Sequence, residues 1–592
     1  MAQLSQHFHD AWLFAIRVLR HRQLVLFALG LFIGAAAAGA AIGFRDLIGL
    51  FQLGAFGFSS ERVVTHLQDQ PWWRILAAPA LGGLAVGLFI HFLMPGGRPQ
   101  AVAQVMEAAA LRGGRMDIKA GLGAALASAA SIGCGASVGR EGPVVHLGAS
   151  LSAWIAERLY LSRQLALTLL GCGVASAIAA SFNAPIAGVF FALEVVVGHY
   201  ALSSFAPIVI ASVTGTIVSR LYYGNFPAFV IGEHPIVSFW EFPAFALVGV
   251  ASALLAVAFV KSTLAAQDRI GALPGPPWIK PALAGIVLGA VAIAFPHILG
   301  VGYETTDTAI AGKFSLSMLA ALLALKFAAT VLCLGAGFGG GVFSPSLVMG
   351  ALSGGLIGGL ATLAVPDLSS GASAYAIVGM GAVAGAVLGA PISTILIIFE
   401  LTSSFSLTLA VMVGVVIASV ITQAAVGGSF FTAQLAKRGI RIDGGREITL
   451  LKARNVTEIM AKDFESVPLD HPLPRIRDKL RQVPNGELFV TGEGGRLVGT
   501  ITLRDLSEAA FDTSYDDLLN ASDVLRANPP ALPKEANLED ARCLLDESHE
   551  DRLAVVEDTE SMAMVGYVRA QDIIHAHNRA LTQARAEERG EG

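Results

Sequence analysis

Apolar residues crowd the first 430 positions in long runs, and the pattern changes after Gly427. Runs long enough to be embedded in a bilayer fall near 24–42, 75–94, 118–133, 164–198, 204–220, 240–260, 280–298, 315–334, 346–364, 374–400 and 405–426. Several are shorter than the ~20 residues a spanning helix needs or are punctured by Gly and Pro, which predicts broken or tilted helices ending inside the membrane. Beyond Gly427 come short alternating strands and amphipathic helices. Leu488–Leu506 and Leu553–Ile573 each read as strand, turn, strand, helix, after a helix-like segment and an extended lead-in at Val456–Met460 and Ala521–Leu525. The tail is therefore expected to be a soluble tandem repeat.

Composition sharpens this division. With 54% hydrophobic and only 14% charged residues, the chain belongs in a bilayer. Of 85 charged residues, 44 lie from Leu451 onward, so the two regions face different solvents. Arg17, Arg20 and Arg22 precede the apolar run Leu24–Ile42, which is longer than a signal-peptide core and predicts an uncleaved first helix with a cytoplasmic N-terminus. A net charge of −5 gives no reason to expect a nucleic-acid partner. Cys134, Cys172, Cys333 and Cys543 have no paired or metal-ligand spacing, so neither a disulfide framework nor a metal site is expected.

An internal repeat is visible in the chain itself. GCGASVGREGP, Gly133 to Pro143, matches GAGFGGGVFSP, Gly335 to Pro345, at an offset of 202 residues. Each is followed by a second matching segment, NAPIAGVFFALEV around Pro185 and GAPISTILIIFEL around Pro391, with Glu194 and Glu400 each nine residues after the Pro. Two pairs in one order at nearly one offset predict duplicated halves near 75–220 and 280–426. The shared position of Glu194 and Glu400 suggests a structural role in capping or interhelical bonding.

The chemistry concentrates at the ends of the Gly-rich segments. Pro143 suits the first turn of a helix, so Glu141 would lie against a positive helix end with free N–H groups, where a small anion would compete with it. The second loop, Gly340 to Pro345, feeds another helix start whose N–H groups could hold a dehydrated anion weakly enough to release it. Lys326, within an apolar run, is expected to reach an interface or a carboxylate.

GREGP, GGGVFSP and their spacing resemble the CLC family of chloride channels and chloride/proton antiporters, over nearly the whole chain. The tail resembles a pair of cystathionine-beta-synthase (CBS) domains. The resemblance implies that Glu141 is a gating glutamate, that amides at Arg140 and Gly142 line an outer anion site, and that those at Val342 and Phe343 line a central one. In the tail it implies an adenine nucleotide with Thr502 near a phosphate and Asp505 on ribose hydroxyls; the second repeat keeps Asp572 but has Arg569 where a hydroxyl is usual. A purely structural CBS pair is the alternative.

Three positions depart from the family pattern. In Met94-Pro95-Gly96-Gly97-Arg98-Pro99, where the family usually has GSGIP, Gly96 replaces a serine facing the central anion. Phe431 falls where a tyrosine donates to that anion. Val195 stands where proton-coupled members commonly carry a second glutamate, and a valine cannot carry a proton.

The expected architecture is thus an all-α polytopic membrane domain, 1–440, of two inverted-topology halves with broken helices, and a cytoplasmic α/β tandem CBS domain, 441–592. The family implies a homodimer in a cell membrane with both termini cytoplasmic. The function expected is a small-anion channel, most simply for chloride, gated by Glu141 with no required cofactor. Alternatives are an antiporter with another proton route and a membrane-bound nucleotide sensor. No nucleophile–base constellation suggests an enzyme.

Overall fold

The computed structural model describes residues 22–589 apart from 199, 201, 226–228, 230–235, 441–449, 453, 484–485, 507–515, 517 and 549. Arg17 and Arg20 lie outside the described residues. The chain divides into two compact units, Met1–Ile442 and Asp443–Gly592.

The first unit is helical. A long α1 (Arg22–Phe56) precedes a first set of seven helices: α2 (Trp72–Leu93), α3 (Val102–Leu111), α4 (Ile118–Gly133), α5 (Glu141–Arg158), α6 (Arg163–Phe182), α7 (Pro185–Phe191) and α8 (Leu202–Tyr223). A second long helix, α9 (Phe242–Ala272), precedes the matching set: α10 (Lys280–Ala294), α11 (Tyr303–Ile310), α12 (Leu316–Ala336), α13 (Phe343–Ala364), α14 (Gly371–Leu388), α15 (Pro391–Thr402) and α16 (Phe405–Val426). The short α17 (Phe430–Ala436) closes the unit. Among the described residues ten helices are long and apolar enough to cross a membrane, and the protein is a multi-pass integral membrane protein.

Each half breaks at the same places. Asn183, in the left-handed conformation, ends α6, and Pro185 opens α7; Gly389, also left-handed, ends α14, and Pro391 opens α15. The apolar runs at 164–198 and 374–400 are therefore two helices each, because hydropathy does not register a left-handed cap. Repeat-related glycines let backbones meet: a Cβ on Gly173 would lie 2.3 Å from the Gly148 carbonyl oxygen, and one on Gly379 would lie 2.4 Å from that of Gly350. Helix pairs α5–α6 and α13–α14 consequently approach backbone to backbone at these glycines.

In the second unit, strands β1 (Ser466–Pro468), β2 (Glu487–Thr491), β3 (Leu497–Thr502) and β4 (Arg526–Ala527) form one sheet in that order. Strands β5 (Ala531–Pro533), β6 (Arg552–Val556) and β7 (Met564–Arg569) form a second. Each repeat runs strand, helix, strand, strand, with Leu473–Gln482 or Leu538–Ser548 as the crossover between parallel neighbours. The buried faces of those helices and strands form the cores.

Candidate functional site

The two Gly-rich loops meet in the middle of the first unit. Gly139 N–H donates to the Gly341 carbonyl and Gly341 N–H to the Gly139 carbonyl, both at 2.7 Å. These glycines are repeat equivalents, and the helices after them begin at the equivalent residues Glu141 and Phe343. Two helix starts, one from each half, are thereby brought side by side. Their first-turn N–H groups have no acceptor within their own helices, so the positive ends of two helix dipoles converge on one region.

Glu141 is buried there, 1% exposed. Its Oε1 accepts from the Tyr303 hydroxyl at 2.8 Å and from the Ser344 hydroxyl at 2.5 Å, and Oε2 lies 2.5 Å from the same Ser344 oxygen. Ser344 is in the first turn of α13 and Tyr303 opens α11, so the second half of the chain holds the carboxylate of the first. Neither hydroxyl stands out in the sequence: Ser344 lies inside GGGVFSP, and Tyr303 sits on a helix too short for the apolar pattern to mark.

A cavity of about 50 Å³ lies against Glu141, and Gly142, Val342, Phe343 and Phe431 line it. Four predicted positions thus meet the gate candidate in one place. The wall also carries the amide side chains of Gln104, Gln267 and Gln434, donors that no motif announced. Phe431 stands over the cavity from α17, whose N-cap Ser429 accepts from Thr432 N–H.

Arg140 keeps its Nε 4.0 Å from Glu141 Oε1 and lines a second cavity of about 490 Å³ together with Arg45, Glu61, Tyr223 and Tyr303. Its guanidinium pairs with Glu61 at 2.5 Å and lies 4.6 Å over the Tyr303 ring. Gly96 lines a third cavity, of about 280 Å³, and Gly97 donates its N–H to Met94 in the same turn. The structure does not bring these two glycines into the Glu141 cavity. The second cavity adjoins the end of α1, beside which α2 begins, Arg74 Nε donating to the Ala55 carbonyl at 3.0 Å, and the third adjoins the other end of α2.

Lys326 takes neither of its expected partners, an interface or a carboxylate: it is buried, and its Nζ donates to the carbonyls of Ile298 (3.0 Å) and Gly300 (2.9 Å). These carbonyls belong to the turn that leads into Tyr303, and satisfy the buried ammonium with dipoles instead of a counter-charge. Glu194 and Glu400 are capping groups. Glu194 accepts from Ile392 N–H (3.0 Å) and Ser393 N–H (2.9 Å), and Glu400 from Ile186 N–H (2.9 Å) and Ala187 N–H (2.8 Å). Val195 is buried beside Glu194 in a π-helical turn, Ala192–Val197.

In the second unit, Asp505 Oδ2 accepts from Thr502 N–H at 2.8 Å and its hydroxyl at 2.7 Å, so the two predicted nucleotide contacts are paired with each other. Asp572 lies in the first turn of Ala570–Arg589, and Arg569 bonds the Tyr567 hydroxyl at 3.1 Å.

Comparisons with known proteins identify the family and the fold. Residues 82–423 match the family described as Voltage gated chloride channel, and residues 456–512 and 521–579 match the CBS domain. The chain is 30% identical over 416 residues to a putative chloride channel protein ClcB-like of Ralstonia nicotianae, covering 70% of this chain and 97% of that one. It is 27% identical over 568 residues to chloride channel protein CLC-f of Arabidopsis thaliana, covering 91% and 68%. Its fold is similar to that of a slow cyanobacterial Cl-/H+ antiporter, with a TM-score of 0.63, 20% identity and coverage of 71% and 98%. A eukaryotic CLC transporter gives a TM-score of 0.60, with 19% identity and coverage of 92% and 97%. With its paired helix starts, its buried glutamate and its two C-terminal CBS repeats, the chain belongs to the voltage gated chloride channel (CLC) family.

Proposed function

We propose that this protein is a chloride channel whose pathway Glu141 closes and whose second unit adjusts its activity. The observation that carries the reading is the seat of Glu141: an anionic group at the start of α13, held by Tyr303 and Ser344, with the 50 Å³ cavity on one side and Tyr303 shared with the 490 Å³ cavity on the other. An anion entering that seat must displace the carboxylate, and a protonated carboxyl leaves it more readily. With Gly96 and Phe431 lacking side-chain hydroxyls, coordination of the anion falls to amides at Val342 and Phe343, and discrimination among halides and nitrate is weak.

Val195, with no proton to carry, supports uncoupled conduction. Chloride/proton antiport is the second reading, favoured by the fold's likeness to proteins named as a Cl-/H+ antiporter and a fluoride/proton antiporter. The remaining assignments follow the family: a homodimer with one pathway per subunit, in a cell membrane with cytoplasmic termini, and an adenine nucleotide at Thr502, Asp505 and Asp572. To reach the ribose, Asp505 would exchange its bonds to Thr502 for bonds to the sugar hydroxyls.

Anion efflux from liposomes under a chloride gradient, with external pH recorded, tests the choice. Chloride movement without proton movement supports a channel; protons driven uphill by chloride establish antiport and reject it. Absence of anion flux, with nucleotide binding retained, leaves the sensor.

A further inference from the structure

Glu61, which no motif marks, stands in the turn between α1 and the short helix Val63–Leu67, on the wall of the 490 Å³ cavity. Two guanidiniums reach one of its oxygens, Oε1: Arg140 Nη1 at 2.5 Å and Arg45 Nη2 at 3.1 Å. Two cations thus converge on a single negatively charged atom, which is what a monatomic anion would also offer them.

The surroundings keep that seat in shape without the carboxylate. Arg45 lies 4.0 Å over the Tyr223 ring and Arg140 4.6 Å over the Tyr303 ring, so an aromatic face holds each guanidinium in addition to Glu61. Tyr223 is fixed in turn by its hydroxyl, which donates to Asp46 at 3.0 Å. The turn that carries Glu61 is pinned by Gln52, whose side chain accepts from Ser60 N–H at 2.9 Å and donates to the Ser60 carbonyl at 3.0 Å. The Glu61 side chain, by contrast, is 46% exposed, against 1% for that of Glu141. Its backbone is held, and its carboxylate has water to turn into.

The charged residues on this wall are Arg45, Asp46, Glu61 and Arg140. The wall is therefore neutral with Glu61 in place and carries one net positive charge when that carboxylate turns away. Arg140 Nε lies 4.0 Å from Glu141 Oε1, and the Tyr303 hydroxyl donates to the same oxygen at 2.8 Å. An anion between Arg45 and Arg140 is one side chain from Glu141.

We propose that Arg45 and Arg140 form a seat for one small anion in this cavity, and that Glu61 is its built-in competitor, displaced as the anion concentration on that face rises. Only ion pairs and hydrogen bonds are exchanged. Glu61 thereby sets the concentration at which anions from that face reach the closed pathway. The proposal rests on the reading of Glu141 as the group that closes it.

The test is chloride current through the full-length protein in planar bilayers, recorded against chloride concentration on the Glu61 side alone, with crystals soaked in bromide as a second readout. Glu61→Gln keeps the shape and removes the charge. It should lower the half-saturating chloride on that side by roughly fivefold or more and show bromide between Arg45 and Arg140. Adding Arg45→Gln should remove the bromide and reverse the shift. An unchanged or raised half-saturating concentration in folded Glu61→Gln, or no bromide at the seat, overturns the proposal and leaves Glu61 a structural partner of Arg140. Glu61→Asp keeps the charge and falls short of one guanidinium, so its shift should have the same direction and a smaller size. Failure of both Glu61 variants to fold also overturns the proposal, because a half-exposed competitor should be replaceable. Bromide at the seat, with a pH response of the current that survives in Glu141→Gln, supports the seat and rejects the gate.

Discussion

Gly139 and Gly341, 202 residues apart in sequence, exchange two backbone hydrogen bonds of 2.7 Å and so place a two-fold relation between the halves at the point where both helices begin. This contact leaves no space for side chains. A Cβ on the neighbouring Gly340 would lie 2.3 Å from Val138 Cγ2 and 2.5 Å from its Cβ. Gly340→Ala should therefore push the loops apart, lower stability by roughly 1–3 kcal/mol and cut chloride flux. Melting in detergent together with efflux would check it, and a variant with wild-type melting would show that the loops are not locked.

Two hydroxyls hold the Glu141 carboxylate in place. A hydrogen bond to a charged group contributes about 1.5–3 kcal/mol, so Tyr303→Phe and Ser344→Ala should each weaken the closed position and raise chloride flux at neutral pH by roughly tenfold. Arg140 should keep its pairing with Glu61 in both variants, leaving the 490 Å³ cavity unchanged. Flux equal to wild type in both would mean that the hydroxyls do not restrain the gate.

Much of this was legible in the sequence because repeats and helix punctuation are local signals. Pro143, Pro345, Pro185 and Pro391 each mark a helix start, and the repeat predicted that equivalent starts would be used alike. Long-range partners left no such mark. Tyr303 meets Glu141 across 162 residues and Ser344 meets it across 203; nothing in YETTDTAI announces a hydroxyl aimed at the gate. The short helices α3, α11 and α17 escaped hydropathy because they do not cross the membrane, although they supply Gln104, Tyr303 and Phe431. Gly96 was placed through the family pattern, and its loop instead borders the 280 Å³ cavity.

The reciprocal caps separate structure from transport. Glu194 satisfies the start of α15 and Glu400 that of α7, so each half closes a helix of the other. Glu194→Ala and Glu400→Ala should each lower stability by about 1–2 kcal/mol and leave the pH dependence of flux unchanged. A shifted pH profile with normal melting would instead place these carboxylates on the ion path.

The second unit offers a pH test outside the membrane. Glu487, at the start of β2, lies 3.8 Å from Arg552, its counterpart at the start of β6. Burial pushes the Glu487 carboxyl up to about 7, although the Arg552 guanidinium pulls the other way. At 3.8 Å the ion pair is too loose to offset the lost hydration. The folded unit therefore keeps this proton over a range in which the unfolded chain has released it. As pH rises from about 4.5 to about 7, the unfolded state binds fewer protons than the folded one, so stability falls, by roughly 1–3 kcal/mol from this group. Amide exchange in β2 and β6 of the full-length protein, corrected for intrinsic rates, should show stronger protection near the acid end of that window than above it. Glu487→Gln, which keeps the shape and cannot ionise, should flatten the difference. Protection that rises with pH in the wild type would mean that Arg552 holds the carboxylate ionised and that burial is not the larger effect.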